Sequence, residues 1–126
     1  MRIETVSTPS APSPGGSYSQ ARVFGGLVFA AGQVGIDPAT GSLPEDTRGQ
    51  VMQAIKNLEQ VLTASGSCLA DVVKTTCFLA DIGDFAEFDA AYRELFPNPF
   101  PARSTLGIAL ASNLRFEIEA IAVRSS

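Results

Sequence analysis

Residues 115–124 read RFEIEAIAVR, and this stretch decides the fold. Its side chains alternate in character, as expected of a β-strand whose residues point to opposite faces of a sheet. One face is entirely apolar: Phe116, Ile118, Ala120 and Ala122. The other face mixes charged with bulky apolar side chains: Arg115, Glu117, Glu119, Ile121 and Val123. A solvated face does not normally combine these types, so we expect the second face to be partly buried against another subunit.

The rest of the chain predicts seven further elements around this strand. Gly25-Gly26 lies between two apolar runs, which indicates a β-hairpin. Residues 46–64 and 85–96 repeat apolar side chains at helical spacing. The other predicted strands cover residues 2–6, 19–24, 27–34, 71–80 and 102–110. The order is β-β-β-α-β-α-β-β, an α+β domain whose two amphipathic helices cover only one face of the sheet.

Both predicted helices carry signals at their ends. Asp46 or Thr47 is placed to cap the first helix, and Gly66 lies just past its end. Asp84 and Glu87 stand three residues apart at the start of the second helix, as in a capping box. The sequence therefore predicts that these acidic side chains bind the first turn of their own helix.

Composition narrows the class of protein. The 126 residues fit one domain, 1–126, and a chain with 45% hydrophobic and 17% charged residues is globular. The net charge is −4 and the arginines are scattered, so neither nucleic acid nor an anionic membrane is an expected partner. The longest apolar run, residues 25–32, is too short to span a bilayer, and the start lacks a signal-peptide core. A cytoplasmic location is the expectation.

Residue types also restrict the chemistry. There is no histidine, which excludes histidine triads, histidine metal sites and histidine acid–base catalysis. Two cysteines, Cys68 and Cys77, do not make a disulfide framework, and Cys77 is expected in the core. Neither GxxxxGK[ST] nor GxGxxG occurs, so no nucleotide cradle is predicted. Catalysis must use carboxylates, arginine, tyrosine, hydroxyls, thiols or backbone groups.

Four segments resemble the Rid (YjgF) family in the family's own order. They are SYSQ at 17–20, AAGQV at 30–34, PARS at 101–104 and EIEAIAV at 117–123. Residues 72–76 and 88–92 match as well, so the resemblance extends over nearly the whole chain. It implies a fold like that of bacterial chorismate mutase, with two helices on one face of a mixed sheet. It also implies a homotrimer with a barrel-like centre and active sites in the clefts between subunits.

The resemblance implies roles for four residues. Arg103 matches the arginine that holds the substrate carboxylate. Glu119 matches the carboxylate that positions or activates water. Tyr18 and Gly32 match residues that line the pocket.

Three further pocket positions depart from the best-known deaminase pattern. Ala31 stands where serine is usual, Asp89 where asparagine is usual, and Thr105 where cysteine is common. These departures leave the arginine and the glutamate in place. They bear on the preferred substrate more than on the type of reaction.

The implied activity is hydrolysis of reactive 2-imino acids, and of their 2-aminoacrylate enamine tautomers, to 2-oxo acids and ammonia. A guanidinium holds a carboxylate in a fixed plane, while a nearby carboxylate takes a proton from the attacking water. The imine is already an activated electrophile, so neither a metal nor a cofactor is expected. Two alternatives remain open: another small-molecule hydrolase or deaminase of this fold, in pyrimidine or aromatic catabolism, and a non-enzymatic trimer that binds small carboxylates.

The sequence leaves the placement of several side chains open. Arg103 and Glu119 reach one cleft if their strand faces point the same way, which depends on the register. Glu119 has an alternative partner in Arg115, four residues earlier on the same strand face. Asp89 faces either the cleft or the solvent, and Tyr18 either lines the pocket or packs within its loop.

Overall fold

The computed structural model describes residues 2–125 and contains one six-stranded sheet with two helices. The strands are β1 (Glu4–Val6), β2 (Ala21–Phe24), β3 (Leu27–Val34), β4 (Val72–Leu79), β5 (Ala102–Gly107) and β6 (Phe116–Val123). The helices are α1 (Thr47–Ala64) and α2 (Phe85–Leu95), and short 3-10 turns at Leu69–Asp71 and Ile82–Asp84 precede β4 and α2. The predicted order of elements is confirmed.

β6, which carries most of the RFEIEAIAVR stretch, lies inside the sheet. The strand order is β1-β2-β3-β6-β4-β5. β6 pairs antiparallel with β3 on one side and with β4 on the other, whereas β4 and β5 are parallel. A parallel pair needs a crossover connection, and α2 supplies it. The sheet is therefore mixed, as the resemblance implies.

Both helices pack on the same face of the sheet, which we call the helix face. α1 lies over β3 and β6 and packs against α2. The core between helices and sheet contains the following buried side chains: Val28, Val51, Ile55, Leu58, Leu62, Leu79, Phe88, Phe116 and Ile118. Burial of each of these side chains stabilises the folded state by about 1.5–3 kcal/mol, whereas an exposed ion pair contributes about 1 kcal/mol or less. The apolar core is therefore the main source of stability. Neither helix has the length and apolar composition needed to cross a membrane.

The opposite face of the sheet, called the outer face, has no helix of residues 2–125 packed on it. The register places Leu27 opposite Val123 and Phe29 opposite Ile121 on this face. Five large apolar side chains on it are 37–45% exposed: Phe24, Leu27, Phe29, Leu106 and Val123. Apolar side chains gathered on an open sheet face, as Leu27, Phe29 and Val123 are on β3 and β6, mark an interaction site. That another subunit covers it stays a prediction.

The predicted glycine turns are confirmed. Gly25 and Gly26 join β2 to β3 with φ values of 60° and 85°, in the left-handed region that glycine adopts without strain. Gly66 has φ 81° just beyond α1, and the amide of Ser67 donates to the carbonyl of Leu62 at 2.8 Å. This bond satisfies a carbonyl in the last turn of α1.

The predicted side-chain caps are wrong. Asp46 precedes α1 and Asp84 precedes α2, but neither side chain caps its own helix. Asp84 Oδ2 instead accepts from Oγ1 of Thr47 at 2.8 Å, and Glu87 Oε1 accepts from the amide of Arg48 at 3.1 Å. The two helices start side by side, so these carboxylates find donors on α1 and tie the start of α2 to it.

Candidate functional site

Arg103 lies on β5 at the edge of the sheet, on the helix face. It stands opposite Thr75 of β4, whose buried hydroxyl bonds the hydroxyl of Tyr92 on α2 at 2.9 Å. The guanidinium carbon of Arg103 lies 4.8 Å from the centre of the Tyr92 ring and 5.0 Å from that of Phe88. Cation–π attraction of this kind strengthens as water is removed. α2 therefore holds the guanidinium against an aromatic wall.

Asp89, one turn before Tyr92 on α2, forms an ion pair with this arginine. Nη1 of Arg103 donates to Oδ1 of Asp89 at 2.8 Å, and Nη2 of Arg93 donates to Oδ2 at 2.8 Å. The side chains of Arg103 and Asp89 are only 22% and 24% exposed. Of the two placements that the sequence left open for Asp89, the structure therefore selects the side of Arg103.

A cavity of about 310 Å³ opens beside the ion pair. It is lined by Asp89, Tyr92, Arg93, Phe100, Pro101 and Arg103. Two guanidiniums and one carboxylate leave a net positive charge, which suits a small anion. A larger cleft of about 640 Å³ lies at Gln50 and Arg115, but the Gln50 amide there already bonds main-chain groups of the surrounding loops. We therefore take the smaller cavity as the candidate site.

Thr105 shares the face of Arg103, two residues further along β5. Its Oγ1 is buried and has no hydrogen-bond partner within residues 2–125. Such orphaned groups are rare in folded proteins, although Thr105 itself does not line the cavity beside Arg103. The neighbouring Cys77 is fully buried, as predicted, and burial raises its pKa to about 12, so its thiol stays protonated and unreactive.

Gly32 and Glu117 are in contact on the outer face. The pairing of β3 with β6 shifts register between Ala30 and Gln33, and Gly32 lies within that irregularity. A Cβ atom at Gly32 would clash with the carboxylate of Glu117, so a larger residue here would force the Glu117 side chain to shift. Burial, and after it the charge of Glu119, raises the pKa of Glu117.

Glu119 is exposed on the outer face, opposite Thr76 of β4. Arg115 is not its partner: Nε of Arg115 donates to the carbonyl of Glu45 at 3.0 Å, and its Nη1 lies 4.0 Å from Asp84. Within residues 2–125 Glu119 forms no ion pair. The alternative pairing of Glu119 with Arg115 is therefore wrong, and the carboxylate remains open to a ligand or to another chain.

Tyr18 lies in the N-terminal loop that leads into β2. Buried Gln20 anchors this loop through hydrogen bonds to both main-chain polar groups of Thr8, and its carbonyl accepts from the amide of Ala31 at 2.9 Å. The hydroxyl of Tyr18 accepts from the amide of Gly15 at 3.1 Å, while its ring is 51% exposed. Tyr18 therefore bonds within its loop, and its role in a pocket stays a prediction.

Within one chain the predicted site residues form two separate groups. One lies on the helix face at the β5 edge: Arg103, Asp89 and Thr105. The other lies on the outer face or beside β3: Tyr18, Ala31, Gly32 and Glu119. Arg103 pairs with Thr75 and Thr75 with Ala120, so Glu119, the next residue along, points to the opposite face. The condition that the sequence left open, that the two strand faces point the same way, is therefore not met within a single chain, and Glu119 also lies two strands away from Arg103.

Comparison with known proteins gives the family. A family model described as Endoribonuclease L-PSP matches residues 8–124. The chain belongs to the Rid (YjgF) family. The 2-iminobutanoate/2-iminopropanoate deaminase of Salmonella typhimurium is 40% identical over 125 residues, which cover 96% of this chain and 98% of that protein. The crystal structure of E. coli TdcF with bound serine has a TM-score of 0.92 at 35% identity, over 97% of this chain and 99% of that one. The YjgF gene product from E. coli has a TM-score of 0.90 at 38% identity, with the same coverage.

Two further side chains of this Rid protein, Tyr92 and Glu117, contact members of these groups, and the sequence assigns neither of them a function. Helical spacing places Tyr92 on the apolar face of α2, but only the structure brings its ring onto Arg103. Burial raises the pKa of Tyr92 to about 12, so it remains a neutral phenol. Glu117 shares a strand face with Glu119, yet its contact with Gly32 depends on the irregular pairing of β3. The sequence does place Asp89 and Tyr92 three residues apart on one helix, which predicts that their side chains are neighbours.

Replacing Glu117 is expected to stabilise this Rid protein at neutral pH. The folded-state pKa of Glu117 is raised above its ordinary value of 4.5, so ionisation costs more in the folded chain than in the unfolded one. That cost is absent below pH 4.5 and fully present above the raised pKa. Glu117→Gln should therefore increase the free energy of unfolding at pH 7 and not at pH 4.

Urea unfolding at both pH values, at one fixed protein concentration, measures this effect. The control is Glu59→Gln, which removes the same charge from the exposed side of α1. An equal gain at pH 4 and pH 7 would mean that burial of the Glu117 charge is not the cause.

Proposed function

We propose that this Rid protein hydrolyses 2-imino acids, and their 2-aminoacrylate enamine tautomers, to 2-oxo acids and ammonia. The observation that carries the proposal is Arg103, a guanidinium at 22% side-chain exposure on the wall of a cavity of small-ligand size. Within residues 2–125 it donates to one side chain only, that of Asp89, so most of its five N–H groups are free. The Salmonella relative, which is named as a deaminase of 2-iminobutanoate and 2-iminopropanoate, supports the same activity.

Arg103 is proposed to bind the substrate carboxylate. A 2-imino acid carries its carboxylate directly beside the C=N bond, and a guanidinium forms two parallel, charge-assisted hydrogen bonds to a carboxylate. The planar fork fixes the plane of the carboxylate and thereby the position of the imine carbon. Thr105, with its unpartnered hydroxyl, is proposed to bind the same ligand.

Glu119 is proposed to act on water. Its carboxylate takes a proton as the water oxygen bonds to the imine carbon, and the C=N electron pair moves to nitrogen, which is protonated. The resulting tetrahedral amino alcohol expels ammonia as its hydroxyl becomes the carbonyl of the 2-oxo acid. Over the whole reaction one water is consumed and one ammonia is released, without oxidation or reduction. Tyr18, Ala31 and Gly32 are proposed to line the site beside Glu119.

A complete site requires two chains, because Arg103 and Glu119 lie on opposite faces of the sheet. We infer that the outer face of one subunit brings its Glu119 to the Arg103 cavity of the next. Such a contact joins two different surfaces, and repetition by rotation closes it into a ring. A homotrimer of this kind would also cover the exposed apolar side chains of the outer face, among them Phe29 and Val123.

The assembly is tested by its mass. Sedimentation equilibrium at micromolar concentration should give three times the chain mass of 13.2 kDa. Phe29→Asp should shift the mass towards one chain, because a carboxylate buried in an apolar contact is costly. Ile82→Asp is the control, since Ile82 is also open to solvent, at 54% against 43% for Phe29, but lies on the turn before α2. A monomer of the unaltered protein would remove the two-chain site.

The activity is tested by a coupled assay. An amino-acid oxidase or a pyridoxal-phosphate lyase generates the imino acid, and release of ammonia and 2-oxo acid is followed with and without this protein. Imine disappearance should accelerate in proportion to the protein added. If the rate does not change while 2-oxobutanoate still binds, the protein is a carboxylate-binding trimer and the proposed hydrolysis is wrong.

A further inference from the structure

Asp89 is an ionised partner of Arg103 at a position where the family resemblance leads one to expect a neutral asparagine. Its two oxygens bond two different guanidiniums, Arg103 through Oδ1 and Arg93 through Oδ2, each at 2.8 Å. Arg93 is 65% exposed, whereas Asp89 and Arg103 are 24% and 22% exposed. Water therefore weakens the pair with Arg93 more than the pair with Arg103, so Asp89 acts chiefly on Arg103.

The hydrogen bond from Nη1 of Arg103 to Asp89, which we call the tether, determines which edge of the guanidinium remains open to a ligand. Nη1 is engaged by Asp89, and the rings of Phe85, Phe88 and Tyr92 lie 4.8–5.5 Å from the guanidinium carbon. These contacts hold both the plane of the group and its rotation within that plane. The edge formed by Nε and Nη2 has no partner within residues 2–125, and its two N–H groups match the two oxygens of a carboxylate.

The charge of Asp89 acts on whatever binds at that edge. Two hydrogen-bond lengths and the width of the guanidinium separate a bound carboxylate from Asp89 by roughly 6 Å. A 2-oxo acid carries one net negative charge and is repelled over this distance. A protonated 2-imino acid has a carboxylate and an iminium group, so its net charge is zero. Asp89 therefore penalises the anion more than the zwitterion.

We propose that Asp89 is a positioning and charge-selecting residue, which presents the Nε–Nη2 edge of Arg103 and favours zwitterionic iminium acids over anionic 2-oxo acids. The inference rests on the proposed function, because the oxo acid is the product of that reaction. Selection against the anion would weaken product inhibition. An asparagine at this position would keep the tether without the charge.

Calorimetric binding of two stable probes tests this inference without requiring turnover. The anion is 2-oxobutanoate, and the zwitterion is L-serine, which the TdcF crystal structure contains. Asp89→Asn keeps an oxygen for Nη1 but removes the charge, so 2-oxobutanoate should bind on the order of tenfold more tightly and serine should change by less than about threefold. Asp89→Ala removes both the tether and the charge, so serine should bind about tenfold more weakly, whereas for 2-oxobutanoate the lost tether and the lost repulsion should largely offset each other.

The control is Glu94→Gln, which removes the same charge from α2 at a residue paired with Arg48 at 2.6 Å instead. The affinity of neither probe should change by more than about twofold in this variant.

If both probes lose the same affinity in Asp89→Asn and in Asp89→Ala, Asp89 has only a structural role and the inference is wrong. Equal tightening of both probes by Asp89→Asn, or no binding of either probe to the unaltered protein at millimolar concentration, would overturn it too. The expected binding pattern without imine turnover would instead remove the proposed hydrolysis and leave the inference standing.

Discussion

Arg103→Ala is expected to lower kcat/KM for 2-iminobutanoate by about 30- to 5000-fold, equivalent to ~2–5 kcal/mol. A carboxylate that enters the cavity loses hydration, and without Arg103 the one guanidinium left on the cavity wall is that of Arg93, which is 65% exposed and already paired with Asp89. Both binding and turnover should fall, because the same contact holds the ligand and places its imine carbon. The loss is large because Arg103 is mostly buried against α2.

Two further variants separate charge from geometry. Arg103→Lys should restore only part of the lost rate, since an ammonium supplies the charge but does not fix the carboxylate plane. Arg48→Ala should change the rate by less than about twofold, because Arg48 forms a surface ion pair with Glu94. Circular dichroism must show that Arg103→Ala is folded. A folded Arg103→Ala variant with unaltered kinetics would mean that the substrate does not dock through this residue.

Glu119→Gln is expected to lower kcat by about 10²–10⁴-fold while 2-oxobutanoate still binds. Glutamine keeps the shape of the side chain and its capacity for hydrogen bonding to water, but it does not accept the proton. Stopped-flow measurement of imine decay, together with calorimetry of product binding, distinguishes the two effects. Unaltered turnover in this variant would eliminate Glu119 as the base.

The control for Glu119→Gln is Glu117→Gln, two residues away on the same strand face. It should keep turnover within about threefold, because Glu117 lies against Gly32 and does not have the role that the family resemblance gives to Glu119.

Mixed assemblies provide the second control. If each site takes Arg103 from one chain and Glu119 from another, co-refolded Arg103→Ala and Glu119→Gln chains regain intact sites in about one quarter of the clefts. No recovery of activity in such mixtures would contradict the two-chain site.

Local patterns predicted most of the fold. The alternation in FEIEAIAV predicted the buried face of β6, and Phe116 and Ile118 are fully buried in the structure. Gly25-Gly26 predicted the β2–β3 turn, because few residues other than glycine adopt left-handed backbone angles without strain. These signals depend on neighbours in the chain, so they can be recognised before any long-range contact is known.

Contacts between distant segments were predicted less well. Asp84 and Glu87 have the spacing of a capping box, yet their carboxylates bind Thr47 and Arg48 at the start of α1. The sequence left open whether Asp89 faces the cleft or the solvent, and its ion pair with Arg103 depends on how α2 lies over β5. The residue spacing along one helix carries no information about the hydrogen-bond donors that a neighbouring helix or strand supplies.

The sequence by itself determined the order of elements, the core face of β6 and, through the PARS and EIEAIAV segments, the family to which the chain belongs. Only the tertiary structure decided that Arg103 faces α2 and Glu119 faces away from it. That outcome follows from the pairing of Arg103 with Thr75 and of Thr75 with Ala120, between strands far apart in the chain. A shift of one residue in either pairing would turn one of the two side chains to the other face, and no local pattern specifies that register.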